Sequence, residues 1–411
     1  MADDAPGSPS SIPEKGMTAA VRRMPRVTIA TRLFEPEPFA ASLRLGALSR
    51  ALAADGCPVR VLTVREAVDS GWKASRGITV KRFPVLRDAT GAVRGYVPYM
   101  SFDIPLFFRL LFGPRPDVVV CEQPPTTGVV TRAACTLRRV PYVYYMPDVV
   151  SEATRSQGSH PAVVAVVTAM EKWALRGAAR IIAVSDEVAE RVEALSGRTP
   201  DVVPNGIDTS EAPDDGPRTP PAGFPTGDGP VFLYAGTVAS WFGPEVFVEA
   251  MDRVKDRLPG ARLVFLGQGG EWEEIAALAE GREDLVMHDA VTPTEARKWL
   301  QASTAAVVSL KPGIYDFAYP TKTLNALASG TPVLFAGPGP AGEDIAANEL
   351  GAAVPWDAAA VADAMVELAT MPGDDPRRDR RRLWEWVDTH RSVRKSSAAA
   401  AQVVIEAAPR A

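Results

Sequence analysis

Short apolar runs, each followed by an amphipathic stretch of helical period, recur from residue 26 almost to the end of the chain, and this alternation constrains the fold more than any other feature. VTIATRL reads as a buried strand. SLRLGALSRALAADG follows as a helix with Leu43, Leu48 and Leu52 on one face and Gly56 past its end, and VRVLTV returns as a second strand. The rhythm continues through DVVVCE (117–122), a helix after Thr126, PYVYYM (141–146), a helix over 161–176 and ARIIAVS (179–185). Strands that alternate with helices build a parallel sheet covered on both faces, so the first half is expected to be one doubly wound α/β domain.

Residues 211–230 hold six prolines and four glycines, too many breakers for a packed element, and read as a linker or surface excursion. Beyond them the alternation restarts: PVFLYAG, ARLVFLG, DLVMHD, TAAVVSL and TPVLFAG are strands separated by helical stretches from about 244, 271, 294 and 321. The last stretch, LWEWVDTHRSVRKSSAAAAQVVIEAA, is helical in propensity and able to cross back to the first half. The expected division is a disordered tail over 1–23, a first domain over 24–205, a second over 206–385 and a crossover helix over 386–411.

A net charge of −5, with no basic block except Arg377 to Arg382, excludes an electrostatic footprint for nucleic acid. Cys57, Cys121 and Cys135 lie far apart among apolar neighbours, which argues against a disulfide framework or a zinc site. The first 23 residues lack an apolar export core, so a cytoplasmic protein is expected. SFDIPLFFRLLFG (101–113) is an apolar run with two readings, burial against the sheet or contact with a lipid acceptor or the inner face of the membrane.

Ligands of open parallel sheets bind outside the carboxyl ends of the strands, where helix N-termini point. FAYPTKTLNALASGTPV (317–333) places such a corner: Thr321 reads as an N-cap, Leu324, Leu327 and Ala328 as a core stripe, and Gly330 as the residue past the helix end. Backbone N–H groups around Lys322 and Thr323, with the Lys322 ammonium, suit a phosphate, and Asn325 lies one turn on. Lys311 ends the preceding strand and could reach the same anion. An ordinary capped helix with solvated lysines is the competing reading of this segment alone.

VVPNGIDTS (202–210), MEKWALRGAARIIAVSDEVAERV (170–192), LVFLGQGGEWEEI (263–275) and AYPTKTLNALASGTPVL occur in an order and spacing that resembles the family-four glycosyltransferases, the retaining GT-B group, over nearly all of 26–400. The resemblance implies two Rossmann-like domains facing a cleft, and transfer of a sugar from a nucleotide diphosphate sugar to a hydroxyl acceptor with retention, with no metal or other cofactor. It puts the donor diphosphate near Tyr319, Thr321, Lys322 and Thr323, with Gly236, Thr237 and Gly267 at neighbouring strand ends and Asn325 at the ribose. The base falls near His288, Asp289 and Val291, although a surface turn also accounts for His288 and Asp289. In PYVYYMPDVVSEA the resemblance implicates Asp148 and Glu152 near the reacting sugar or acceptor, with simple capping as the other reading of Asp148. Glu37 and Ser42, in EPEPFAAS, are the acceptor-side candidates.

This chain departs from the family pattern at several places. Thr237 and Phe242 stand where an Arg and a Lys are usual, Pro147 where a His is common, and Phe317 and Asn325 where two glutamates are spaced. A glycine pair is absent near Glu37, Pro38 and Ser42. Lys322 and Lys311 are therefore expected to serve the leaving diphosphate. Asn325 in place of a carboxylate points to a UDP or dTDP sugar, with tolerance of a deoxyribose. A degenerate GT-B protein that supports a partner transferase and a nucleotide-sugar epimerase are the rival readings.

Overall fold

The β-branched and aromatic residues of VVVCE (118–122) and YVYYM (142–146) are all buried, as in strands covered on both faces. The computed structural model describes residues 23–409 apart from 38, 67–70, 88–92, 94, 157, 215, 217, 218 and 314. All but the last residue of the expected tail over 1–23, and Pro38, lie outside the described residues.

The first domain runs β1 (Val27–Ala30), α1 (Ala40–Ala54), β2 (Val59–Val64), β3 (Ile78–Phe83), α2 (Tyr96–Phe112), β4 (Val118–Glu122), α3 (Pro125–Arg138), β5 (Tyr142–Met146), α4 (Val150–Ser156), α5 (Pro161–Gly177), β6 (Arg180–Ala183), α6 (Asp186–Ser196) and β7 (Asp201–Val202). Its strands are parallel in the order β3-β2-β1-β4-β5-β6-β7. Val27 pairs in register with Val59 on one side and Val118 on the other, so the strand order reverses about β1 and opens a crevice at the carboxyl ends of β1 and β4. Helices α2, α3 and α5 cover one face through Leu106, Cys135 and Leu175, while α1 covers the other through Leu45, Leu48 and Leu52. Leu43, expected on the buried face of α1, is 60% exposed; Leu45 takes that role because it lies three residues before Leu48 on the sheet side.

The second domain repeats the plan with β8 (Val231–Val238), α7 (Glu245–Val254), β9 (Arg262–Gly269), α8 (Trp272–Ala279), β10 (Leu285–Asp289), α9 (Pro293–Ala302), β11 (Ala305–Ser309), α10 (Thr321–Ala328), β12 (Val333–Ala336), α11 (Pro340–Ala347), β13 (Gly351–Val354) and α12 (Ala358–Thr370). Its parallel order is β10-β9-β8-β11-β12-β13, which reverses about β8. Two apolar clusters flank the sheet, one centred on Phe247, Phe265 and Met365, the other on Trp299, Leu327 and Phe335.

The expected crossover helix is two helices. α13 (Arg380–His390) packs Leu383 and Val387 into the second domain beside α10, and α14 (Val393–Ala407) packs Ala400, Ala401 and Val404 onto the first. The chain therefore crosses back at 391–393. There it runs beside the outgoing connection: the Ile207 N–H donates to the Arg391 carbonyl at 2.8 Å, and the Val393 N–H donates to the Ile207 carbonyl at 2.8 Å. The two domains are joined by this paired double strand rather than by 211–230. The described residues of that stretch form a surface excursion on the second domain, where Phe224 meets Trp299 at 5.4 Å and Arg380 Nη1 donates to the Asp214 carbonyl at 3.2 Å.

Candidate active site

The α10 corner differs from expectation in its first residue. Pro320, not Thr321, is the N-cap; its extended backbone turns the chain into the helix, no side chain caps the end, and Thr321 is the first helical residue. Thr321 is exposed, while Thr323 is fully buried with its hydroxyl oxygen lacking a hydrogen-bond partner. Lys322 bends back over the sheet edge: its Nζ lies 3.3 Å from the centre of the Phe242 ring and 5.0 Å from that of Tyr234. Loss of hydration in this aromatic pocket pushes its ammonium down to about 7. Gly236 makes room for the stem. It holds φ +122°, and a side chain there would meet Lys322 Cε at 3.1 Å. Gly236 pairs in register with Gly267, and Thr237 is exposed at the same strand end. Asn325 is exposed one turn along the helix.

Lys311 does not share that pocket. Its Nζ pairs with Glu245 at 3.0 Å and lies 4.9 Å from the Trp356 ring centre. Tyr319 turns toward the interdomain connection, where its hydroxyl donates to Asp344 at 3.1 Å and its ring receives Arg391 at 4.4 Å. His288 packs against Trp299 at 4.9 Å with Nδ1 2.9 Å from the Asp289 carbonyl; Asp289 is exposed at the end of β10, and Val291 packs against the core.

Across the cleft, Asp148 lies in the β5–α4 connection, two residues before the helix, and Glu152 lies in the first turn of α4. Asp148 Oδ1 accepts from the Val149 N–H at 2.7 Å, and burial pushes its carboxyl up from the ordinary range. Glu152 pairs with Arg191 of α6 at 2.8 Å. Two residues with no signal in the sequence hold this segment. The buried Glu171 of α5 accepts from the Val150 N–H at 2.9 Å, the Ser151 N–H at 3.2 Å and the Ser151 hydroxyl at 2.6 Å, so a carboxylate from another helix caps α4. The Gln123 side chain donates to the Asp148 carbonyl.

Arg191 also reaches the second domain, with its guanidinium 3.9 Å from the centre of the Phe317 ring. Phe317 meets Tyr315 at 6.1 Å, Tyr315 meets Trp241 at 5.8 Å, and Trp241 meets Phe242 at 5.7 Å. An aromatic wall thus runs without a break from the Lys322 pocket to the Asp148 segment. Its members Phe242 and Phe317 are two of the positions where the sequence departs from the charged pattern.

The acceptor-side candidates do not converge on that line. Glu37 pairs with Arg87 at 3.5 Å, and burial pushes its carboxyl up; Ser42 is fully buried in α1 with its hydroxyl unpartnered. At the crevice of the first sheet, Arg44 bridges Glu122 at 2.8 Å and Asn205 at 3.2 Å. Beside them Arg32 lies 3.9 Å from the Tyr99 ring centre, and Asp103 accepts from the Thr127 hydroxyl at 2.7 Å. No pattern of spacing announced these groups, which come from separate elements. Among the described residues no group of three His, Cys, Asp or Glu side chains is placed to hold a metal ion.

Two Rossmann-like domains, each reversing its strand order at a cleft and joined by a double connection with a helix returning to the first, define the GT-B fold. Residues 40–206 match the family model of the glycosyl transferase 4-like domain, and residues 229–371 match that of glycosyl transferases group 1. The chain is 30% identical over 188 residues to 2-deoxystreptamine glucosyltransferase of Streptomyces kanamyceticus, a match that spans 42% of this chain and 46% of that enzyme. Sucrose-phosphate synthase from Thermosynechococcus elongatus superposes with a TM-score of 0.69 at 18% identity, covering 92% of this chain and 98% of that one. HepE of Anabaena in complex with UDP superposes with a TM-score of 0.67 at 13% identity, covering 93% and 100%.

Proposed function

We propose that this chain is a retaining glycosyltransferase of the family-four type, which moves a sugar from a nucleotide diphosphate sugar to a hydroxyl acceptor. The observation that carries the proposal is the α10 corner: a helix N-terminus with no side-chain cap beside the Lys322 ammonium, joined to the Asp148 segment by the aromatic wall and Arg191. A diphosphate is the group that this corner suits. It supplies the oxygens that free N–H groups require and the negative charge that restores a full proton to Lys322. The UDP in the HepE complex supports a uridine-type donor on the same fold, and Asn325, which presents an amide rather than a carboxylate, extends the choice to dTDP sugars.

In the reaction, the bond between the anomeric carbon and the diphosphate oxygen breaks, and the acceptor hydroxyl oxygen bonds to that carbon on the same face. The hydroxyl proton passes to the departing diphosphate, whose developing charge is met by Lys322 and the α10 N–H groups. Asp148 orients the sugar or the acceptor, Glu152 holds Arg191, and no metal is assigned a part. Lys311 stands at the border of the corner in its pair with Glu245 and serves the β-phosphate when that pair opens. Catalysis by positioning needs both domains in place, which the Arg191 contact with Phe317 provides.

A panel of UDP, GDP and dTDP sugars, read by thermal shift and by release of the nucleotide diphosphate, tests the proposal. A UDP or dTDP sugar should raise the melting temperature and be hydrolysed slowly without acceptor, at an unchanged rate in EDTA. Failure of every donor on both readouts would reject it. Retention is checked by the anomeric configuration of the product in proton NMR.

A further inference from the structure

We propose that the outer layer formed by α2, α3 and α5 docks the protein on an anionic lipid bilayer. The apolar run at 101–113 has one buried and one open face: Phe102, Leu106 and Leu110 are in the core, whereas Ile104 (56% exposed), Phe108 (51%) and Phe112 (77%) face solvent. These three stand at helical spacing in one stripe. The stripe continues sideways onto α3 with Leu137 and onto α5 with Val166 and Trp173. Nine of the fifteen large apolar side chains exposed among the described residues lie on these three helices. That concentration marks an interaction face rather than scattered surface residues.

Charge selects the occupant. The three helices carry seven ionisable side chains of fixed charge, and the two acidic ones, Asp103 and Glu171, are fully buried in bonds to Thr127 and to α4. The five basic side chains leave the layer positive in a chain whose net charge is −5: Arg176 is exposed, and Arg109, Arg132, Arg138 and Lys172 are half-buried, Arg109 over the Phe83 ring and Arg138 bonded to the Leu110 and Gly113 carbonyls. A symmetric dimer through this face would set a net positive layer against a copy of itself. A bilayer with anionic headgroups instead accepts the cations at its surface and the Phe, Trp and Ile side chains just below it, the division that interfacial helices use. Trp173, with Arg132 4.2 Å from its ring centre, is the kind of amphipathic pair that settles at headgroup level. No helix of the described residues is long and apolar enough to cross a membrane, so the contact lies on the surface. The layer covers the sheet face opposite α1 and α14, which leaves the double connection between the domains free.

The test is co-sedimentation of the full chain with vesicles of phosphatidylcholine alone and with vesicles containing about 30 mol % phosphatidylglycerol, at low and high salt. Binding should be at least about tenfold greater on the anionic vesicles and should fall with salt. It should be lost both in the double variant Phe108→Ser, Phe112→Ser and in the charge-reversal pair Arg132→Glu, Arg176→Glu, with melting temperature and donor hydrolysis unchanged. Equal binding to both vesicles, no binding to either, or wild-type binding by the two variants would overturn the proposal. So would a self-association of the wild type that the variants abolish while vesicles bind nothing.

Discussion

Lys322 stands where its charge is poorly solvated, with two aromatic faces around the ammonium and an open helix end beside it. Its proton affinity is low in the free protein, so a bound diphosphate must raise it, and donor binding takes up a proton. The sign follows: donor affinity is greatest below about pH 7 and weakens as pH rises through about 7, where the free protein loses the Lys322 proton. The donor KM, measured from pH 6 to 9, is expected to rise by up to about tenfold per pH unit above that point and to level off near the higher value of the bound state. A KM independent of pH would remove Lys322 from the diphosphate. At the ribose, a charged hydrogen bond exceeds a neutral one by about 1–2 kcal/mol, so Asn325→Glu should raise the preference for UDP over dTDP sugars by roughly tenfold. Competition between the two donors in one reaction measures that ratio directly.

At the scale of elements, α4 is placed by a residue that does not belong to it. Glu171 occupies the end of α4 as an N-terminal cap would, and thereby fixes the turn that carries Asp148. Glu171→Ala leaves two backbone N–H groups and a hydroxyl without their acceptor, and should cost about 1–3 kcal/mol of stability. The variant should also lower kcat several-fold while leaving the donor KM nearly unchanged, because the α10 corner is untouched; a raised KM with normal kcat would contradict this placement. This cap was illegible in the sequence, since twenty residues separate Glu171 from Ser151 and nothing in MEKWALRGA distinguishes a capping carboxylate from a solvated one. The elements themselves were legible where the period was strong: VVVCE, YVYYM, AAVVS and VLFA are strands because their runs bury on both faces. Edge elements were not. β3, at the sheet edge, has half-buried and exposed positions only, and α2 contains Pro105, so neither displays the pattern of a covered unit. The α10 helix was readable to within one residue, and its missing cap was not, because Thr321 and Pro320 both suit a helix start and only the backbone decides between them.

For the molecule as a whole, two contacts set how the domains meet. The first is the double connection at Ile207 and Ser392, where Gly206 lies against the backbone of Ser392 and Val393 so closely that any side chain would collide. Gly206→Val should therefore force the strands apart, lower the melting temperature and reduce transfer, whereas a variant that melts like the wild type would show that the connection tolerates separation. The second is Arg191 on Phe317, a contact worth about 0.5–1 kcal/mol at a partly exposed site. Phe317→Ala should accordingly raise the donor KM only two- to fivefold, by roughly that energy, with a larger radius of gyration in solution scattering. Neither contact can be read from the chain, because each joins segments more than a hundred residues apart whose meeting depends on both sheets being complete.

The central claim, that a nucleotide diphosphate sugar is opened at the α10 corner by Lys322, is tested most directly by release of the nucleotide diphosphate from the preferred UDP or dTDP sugar, wild type against Lys322→Ala. The wild type should release it, and the variant should do so about 100- to 1,000-fold more slowly at an unaltered fold, corresponding to loss of one preorganised transition-state donor of about 2.7–4 kcal/mol. Release by Lys322→Ala at the wild-type rate would contradict the claim.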